Sequence, residues 1–186
     1  MTQAEYRRRR REEWDAAGRG YAILGAELKE LLGPVTERIL DLADLRLGER
    51  VLDIATGPGS PALEAAQRVG SGGRVVGVDF APSMLEVASR RAIETRVDNV
   101  QFLGMDAERL AIRDETFDVV LSRYGFPHCA DAVMALREAC RVLRPGGHLV
   151  AGHHGRPERN PYLSLPVRML SRYRDGTAAS ASESAP

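Results

Sequence analysis

The stretch VLDIATGPGSPALEAA, residues 51–66, constrains the fold of this chain more than any other part of the sequence. An apolar run leads into Asp53, a turn containing Gly57 and Gly59 follows, and an amphipathic segment comes next. Glycines let the backbone of such a turn approach a ligand closely, and a helix that begins there offers unpaired N–H groups. The stretch therefore predicts a buried strand, a ligand-binding turn and a helix.

Strand and helix patterns alternate from Arg50 onward. They predict strands over residues 50–55, 74–80, 100–107, 117–125 and 148–154, and helices over residues 61–69, 81–96, 131–143 and 161–173. Such alternation implies an α/β fold, a doubly wound parallel sheet with right-handed crossovers and helices on both faces. Ligands bind such sheets beyond the carboxyl ends of the strands, and polar residues are predicted at those ends. These residues are Asp53, Asp79, Asp106, Ser122 and Arg123.

The sequence divides into three segments. We predict N-terminal helices over residues 1–46, with a break where Gly33 ends one helix and Pro34 begins the next. A ligand-binding α/β domain follows over residues 47–174. Residues 175–186 are small and polar, which predicts a disordered tail.

Charge and cysteine content narrow the function classes. The formal net charge is zero and no apolar run reaches the roughly 20 residues of a transmembrane helix, so we expect no nucleic-acid partner and no membrane span. Cys129 and Cys140 lack the company of metal ligands, and they predict free thiols and a cytoplasmic location. The arginine run over residues 7–11 fits a nucleic-acid patch or a solvated helix face, and the acidic residues that flank it favour the helix face.

The glycine turn on its own is compatible with NAD. Gly57, Gly59 and Ala62 match the pattern G-x-G-x-x-A. Asp79 follows Gly59 at about the spacing of the acid that holds a ribose in dinucleotide sites. An NAD-dependent oxidoreductase is therefore one reading of this stretch.

Two details of the turn favour a different nucleotide. Pro58 and Pro61 remove two N–H donors that a pyrophosphate needs. Asp53 would place a negative charge near the phosphates, at a cost on the order of several kcal/mol. S-adenosylmethionine fits better, because its ammonium group can meet Asp53 and its ribose hydroxyls can donate to Asp79.

Five motifs in order resemble those of the class I S-adenosylmethionine-dependent methyltransferases. They are VLDIATGPG, VVGVDFAPSMLEVA, GMDAERL, FDVVLSRYGFPHCAD and REACRVLRPGGHLV. The resemblance covers residues 50–155 and is strongest to the branch that includes the ubiquinone/menaquinone-biosynthesis C-methyltransferases. Ala55 stands where other members have the first glycine of the turn. The family implies a Rossmann-like sheet with five parallel strands in the order 3-2-1-4-5.

The resemblance also implies a set of residues that bind S-adenosyl-L-methionine. The methionine end is assigned to Asp53, Ala55, Thr56, Gly57, Gly59, Ser122 and Arg123. The ribose and adenine are assigned to Asp79, Phe80, Met84, Asp106 and Ala107.

The family's sheet usually ends in an antiparallel hairpin, for which this sequence offers no candidate. We therefore expect a chain that is C-terminally short or divergent, with the fifth strand at an edge of the sheet. An apolar edge invites pairing, so we expect a homodimer or the last helix to cover it.

The candidates for catalysis lie at the strand ends. His128 is the candidate base, and the alternative is a loop histidine without a catalytic role. His153 and His154 lie at the end of the fifth predicted strand, but two histidines do not make a metal site, and no metal is predicted. Trp14, Tyr21, Tyr124 and Phe126 are candidates for an apolar substrate pocket, with ordinary packing as the alternative.

Three functions remain open at this point. The first is in-line methyl transfer to a small-molecule acceptor. The second is binding of S-adenosylmethionine or S-adenosylhomocysteine without catalysis, because the C-terminal part is short. The third is NAD-dependent oxidation or reduction.

Overall fold

A five-stranded parallel sheet forms the centre of residues 1–152. The computed structural model describes residues 1–156 and residue 160. The strands are β1 (Arg50–Ile54), β2 (Arg74–Asp79), β3 (Val100–Gly104), β4 (Phe117–Arg123) and β5 (Leu143–Gly152). The helices are α1 (Gln3–Ile23), α2 (Gly25–Ala43), α3 (Ala62–Val69), α4 (Pro82–Glu94) and α5 (Ala132–Val142), with a single 3₁₀ turn at Phe126–His128.

The strand order is β3-β2-β1-β4-β5, and every neighbouring pair is parallel. This confirms the predicted Rossmann-like sheet. The order reverses between β1 and β4, which is where open α/β sheets bind ligands. The predicted helix over residues 161–173, the tail over residues 175–186 and any C-terminal hairpin lie outside the described residues.

Side chains alternate across the sheet and separate two apolar cores. Val51 of β1 and Leu121 of β4 are fully buried against α2 and α3, whereas Leu52 and Ile54 are buried against α5. Asp53 lies two residues after Val51 and pairs in register with Leu121, so its side chain is on the α2 and α3 side. The alternation that buries the strands therefore also sets which helices surround Asp53.

The N-terminal helices break at a different residue from the one predicted. The chain leaves helical structure at Leu24, and α2 runs without interruption through Gly33 and Pro34. Proline removes one i to i−4 hydrogen bond, but Pro34 and its lost partner Glu30 are exposed, so water can serve the Glu30 carbonyl. Burial of the later turns, at Ile39 and its neighbours, keeps the helix continuous.

β5 begins earlier than the sequence pattern indicates. α5 ends at Val142, and pairing with β4 starts at Leu143 rather than His148. The register shifts between Phe117 and Val119 of β4, so residues 144–147 form an irregular segment inside the strand. The RPGG sequence at residues 144–147 thus follows the end of α5 and interrupts the regular pairing within β5.

The chain divides into two compact units after Gly152. Residues Met1–Gly152 form the first unit, which holds all the helices and strands given above, and His153–Pro186 form the second. Among the described residues, no helix is both long and apolar enough to cross a membrane.

Candidate functional site

The carboxyl ends of the central strands bring the predicted acidic residues to one edge of the sheet. Asp53 lies next to the end of β1, Asp79 ends β2, and Ser122 and Arg123 end β4. The Ser122 hydroxyl donates to the Ile54 carbonyl at 2.9 Å, which ties the end of β4 to the end of β1. The glycine turn begins directly after these residues.

The turn after β1 has three residues in the left-handed region, Ala55 at φ 58°, Gly57 at φ 52° and Gly59 at φ 97°. Asp79 stabilises this turn, because its Oδ2 accepts from Gly57 N at 2.9 Å and its Oδ1 accepts from Ala81 N at 3.0 Å. Burial raises the pKa of Asp79, and the backbone N–H donors oppose that rise. Each oxygen keeps a second lone pair, so Asp79 can still accept from ligand hydroxyls.

Asp53 is a buried carboxylate without a hydrogen-bond partner. Its side chain is 0% exposed, and among the described residues neither oxygen accepts a hydrogen bond of normal geometry. Burial raises the pKa of Asp53 to about 7, while the Thr56 side chain and the Arg123 guanidinium act in the opposite direction. The buried Thr56 hydroxyl also lacks a hydrogen-bond partner. Unpaired acceptors of this kind are costly unless a ligand supplies the donor.

This arrangement fits a cationic ligand and not a pyrophosphate. A buried acid with two open acceptor sites can receive an ammonium group, whereas phosphate oxygens would meet it as like charges. The space where a Cβ of residue 57 would stand is open, so a ligand can approach the backbone at Gly57, whereas a Cβ at Gly59 would meet Ala88 Cβ at 3.1 Å. The residues present therefore fit the methionine end of S-adenosylmethionine.

Asp106, assigned to the adenine, is partly engaged by α1. Its side chain is 45% exposed, and Arg7 Nε lies 3.6 Å from its Oδ2. Its Oδ1 accepts from Glu108 N at 2.9 Å. Phe80 is half-buried and Met84 of α4 is buried, and Ala107 packs beside the α5-side core. Asp106 can thus accept a ligand donor only alongside Arg7.

Arg7 and Glu108 form an ion pair that the sequence analysis missed. Arg7 Nε donates to Glu108 Oε2 at 3.1 Å and Arg7 Nη2 contacts the same oxygen, while Ala130 N donates to Oε1 at 2.6 Å. Glu108 is only 7% exposed, so this pair anchors α1 to the loops after β3 and β4. The interpretation of residues 7–11 as a solvated face is therefore wrong for Arg7. The only signal was the arginine run itself, because its partner lies 101 residues away.

His128 lies under α1 together with two of the predicted aromatic residues. The rings of Trp14 and His128 meet edge to face at 5.0 Å, and Tyr21 is 6.3 Å from Trp14. Arg10 Nη2 is 2.6 Å from His128 Nδ1, and its guanidinium lies over Trp14 at 5.7 Å. The structure therefore brings together the candidate base and the two N-terminal aromatic candidates.

The other two substrate candidates are placed differently. Tyr124 has a left-handed backbone at φ 64°, and its N–H donates to Gly152 O at 2.9 Å. Phe126 is buried in the core against α5, with Ala135 and Ala139 in the same cluster. Its position matches the alternative of ordinary packing.

Comparison with known proteins adds a family and two curated relatives. Residues 51–147 match the family described as Methyltransferase domain. The chain is 35% identical over 149 residues to aklanonic acid methyltransferase of Streptomyces sp. (strain C5), covering 80% of this chain and 66% of that protein. It is 48% identical over 113 residues to demethylmenaquinone methyltransferase of Thermus thermophilus, covering 61% of this chain and 50% of that protein.

A solved structure has a similar fold. An S-adenosylmethionine-dependent methyltransferase from Aquifex aeolicus has a TM-score of 0.60 and 24% identity, covering 73% of this chain and 76% of that chain. This likeness concerns the fold alone. The chain spans between half and two thirds of the length of the two curated relatives.

Proposed function

The chain belongs to the class I S-adenosylmethionine-dependent methyltransferases, resembling their quinone-biosynthesis branch, and we propose that it transfers a methyl group to a small-molecule acceptor. The single observation that carries this proposal is Asp53, a buried acid with two unpaired acceptor oxygens beside a glycine turn. Such a group is costly in an empty site and favourable beside a bound cation.

The proposed binding residues follow the ligand from one end to the other. Asp53 and the turn at Gly57 would hold the methionine end, Asp79 the ribose hydroxyls, and Asp106 with Phe80 the adenine. When bound, S-adenosylmethionine supplies a methyl group on a sulfonium, a good leaving group in an in-line displacement. The task of the protein is then to hold the acceptor in line with that group.

His128 belongs to the acceptor site in this proposal. A guanidinium can only donate, so Nδ1 of His128 accepts from Arg10, and the N-terminal helix orients the ring. The role of base that the sequence predicted for His128 stays a proposal. Trp14 and Tyr21 beside it would contribute apolar walls to the acceptor site.

Calorimetry with three ligands tests the proposal. We expect S-adenosylmethionine and S-adenosylhomocysteine to bind and NAD not to bind, because Pro58, Pro61 and Asp53 disfavour a pyrophosphate. Binding of NAD alone would overturn the proposal in favour of an oxidoreductase. Incubation with S-adenosylmethionine and a panel of phenols, quinols and enolic polyketides would then measure release of S-adenosylhomocysteine. Cofactor binding with no turnover on any acceptor would favour a binding protein without catalysis.

The partners and location of the protein belong to the same proposal. Among the described residues β5 pairs only with β4, and we propose that a second copy of the chain covers its other edge. Light scattering across a range of concentrations tests this, and a monomer throughout would contradict it.

Cys129 and Cys140 are free thiols, which supports a cytoplasmic protein. We also keep as a proposal the predicted division of the chain into N-terminal helices up to residue 46, a ligand-binding domain up to residue 174 and a tail.

A further inference from the structure

We propose that Arg123 is a positioning residue for the methionine end of the ligand: its charge favours the ionised form of Asp53 inside the buried site, so that the carboxylate can receive an ammonium group. The inference rests on the proposed function, and the experiments below separate the failure of one from the failure of the other. Three observations carry it: the shared face of the sheet, the unpaired buried carboxylate of Asp53 and the way the guanidinium is held.

Arg123 and Asp53 are on the same face of neighbouring strands. Asp53 pairs in register with Leu121, and Arg123 follows Leu121 by two residues, so alternation directs both side chains toward α2 and α3. Arg123 is half-buried, and burial lowers its pKa while Asp53, Glu64, Tyr124 and Tyr21 oppose that effect. Asp53 and Arg123 therefore interact through the protein interior, where charges are poorly screened.

Asp53 is the fully buried acid next to Arg123. Both of its oxygens lack a hydrogen-bond partner, whereas Glu64 of α3 is only half-buried. The groups that act on Asp53 are the Thr56 side chain, Ala62 N and Arg123, which favour its ionised form, and Glu64, which disfavours it. Arg123 is the only cation in this set, and the ammonium of a bound amino-acid end would supply the donor that Asp53 lacks.

Neutral hydroxyls hold the guanidinium in place. Arg123 Nη1 donates to Thr36 Oγ1 at 2.5 Å and to Ser60 Oγ at 3.4 Å. Thr36 in turn donates to Leu32 O at 3.2 Å within α2. Arg123 is thus fixed by α2 and the glycine turn, without a hydrogen bond that occupies Asp53. Its charge acts on the carboxylate while both carboxylate oxygens stay available to a ligand.

The first experiment measures how the affinity for S-adenosylhomocysteine depends on pH, by calorimetry between about pH 6 and about pH 9. In the wild type we expect affinity to rise up to about pH 7, as Asp53 ionises. In Arg123→Met we expect binding about tenfold weaker at neutral pH, an inflection about one pH unit higher, and recovery at alkaline pH. Arg123→Lys should restore most of the wild-type profile, and Arg68→Met, which removes a surface arginine of α3, should leave it unchanged.

A uniform loss of affinity in Arg123→Met, with the inflection unmoved, would overturn the proposal and leave Arg123 a packing role. An unchanged profile would overturn it as well. Circular dichroism checks that each variant is folded. If Arg123→Met is not folded, the pH profile of Arg123→Lys is compared with that of the wild type instead.

A second experiment needs no ligand. The free energy of unfolding is measured against pH in wild type, Arg123→Met and Asp53→Asn, and the inflection absent from Asp53→Asn reports Asp53 ionisation. We expect Arg123→Met to move that inflection upward, and an unmoved inflection would overturn the charge coupling even if the ligand binds. If the inflection moves but the wild type binds no S-adenosylhomocysteine, the proposed function and the ligand role fail while the coupling stands.

Discussion

Ala55 has a backbone conformation that is energetically unfavourable for alanine. Its φ of 58° lies in the left-handed region, at the position where other members of the family have glycine. A non-glycine residue there costs roughly 1–2 kcal/mol. The side chain is also confined, because a Cβ built at Gly125 would lie 2.6 Å from Ala55 Cβ. The glycine turn therefore carries backbone strain next to the proposed binding site.

Substitutions at Ala55 test this strain. We expect Ala55→Gly to leave the free energy of unfolding unchanged or raise it by up to about 1 kcal/mol, since relief of strain exceeds the greater entropy of an unfolded glycine. Ala55→Val should lower it by about 2 kcal/mol or more, because a β-branched side chain suits neither the left-handed region nor the contact with Gly125. Urea denaturation measures both. A clear loss of stability in Ala55→Gly would contradict the assignment of strain.

Asp53 makes the stability of the ligand-free protein fall as pH rises. Its pKa of about 7 in the folded state exceeds the unfolded value of about 3.9, so the folded state binds more protons between those pH values. The destabilisation grows from about pH 4 to about pH 7 and is complete above that. We expect Asp53→Asn to raise the unfolding free energy at alkaline pH by about 4 kcal/mol, while abolishing binding of S-adenosylhomocysteine.

Denaturation of wild type and Asp53→Asn at acidic and alkaline pH measures this difference. The gap between the two proteins should close below about pH 4, where Asp53 is protonated in both folded and unfolded chains. A gap that is independent of pH would mean that the substitution acts through packing instead.

The strand-end acids could be predicted at this scale, and their surroundings could not. Parallel strands end at one edge of a sheet, so an acid after each apolar run is enough to predict that Asp53 and Asp79 lie close together. Which acid is unpaired depends on how α2 and α3 cover it. The Arg7–Glu108 pair depends in the same way on where α1 lies against the sheet.

At the scale of elements, α1 packs closely on the start of α4. Ser83 N donates to Asp15 Oδ1 at 2.8 Å, and Ser83 Oγ donates to Asp15 O at 2.7 Å. Gly18 is buried at this contact, where an added Cβ would lie 2.6 Å from Ser83 Cβ. Gly20 is one half-turn further along α1 and has open space around it. The two glycines form a matched pair.

Alanine substitutions at the two glycines separate helix propensity from packing. Gly20→Ala should raise the unfolding free energy by about 0.5–1 kcal/mol, because alanine favours the helix. Gly18→Ala gains the same propensity but must push α1 away from Ser83, so we expect a net loss of about 1 kcal/mol or more. Denaturation measures stability, and hydrogen exchange of α1 amides should be faster in Gly18→Ala alone. Equal behaviour of the two variants would contradict the close contact.

The elements differ from the sequence prediction where tertiary packing competes with local signals. The local sequence predicts that one helix ends at Gly33 and another begins at Pro34, yet α2 passes through both residues because its following turns are buried. β5 gains residues from a Gly-rich segment because β4 offers it a pairing partner. The local sequence pattern shows neither the surface that buries α2 nor the pairing of β5 with β4.

At the scale of the whole molecule, one reporter distinguishes α1 from the rest. Trp14 is the single tryptophan of the chain and lies on α1 beside His128. Residues Met1–Gly152 form one compact unit, so we expect α1 to unfold together with the sheet. Trp14 fluorescence and far-ultraviolet circular dichroism should then give coincident urea transitions. A fluorescence change at a lower urea concentration than the circular dichroism change would mean that α1 detaches first. In that case Arg7→Met should widen the difference between the two urea midpoints.

The half-titrated acid at the end of β1 makes ligand binding an exchange of cations. Near neutral pH, part of the ligand-free protein carries a proton on Asp53, and an arriving ammonium group must displace it into solution. The heat of binding measured in calorimetry should therefore depend on the ionisation enthalpy of the buffer. The same exchange makes the occupancy of the site respond to the acidity of its surroundings at constant ligand concentration.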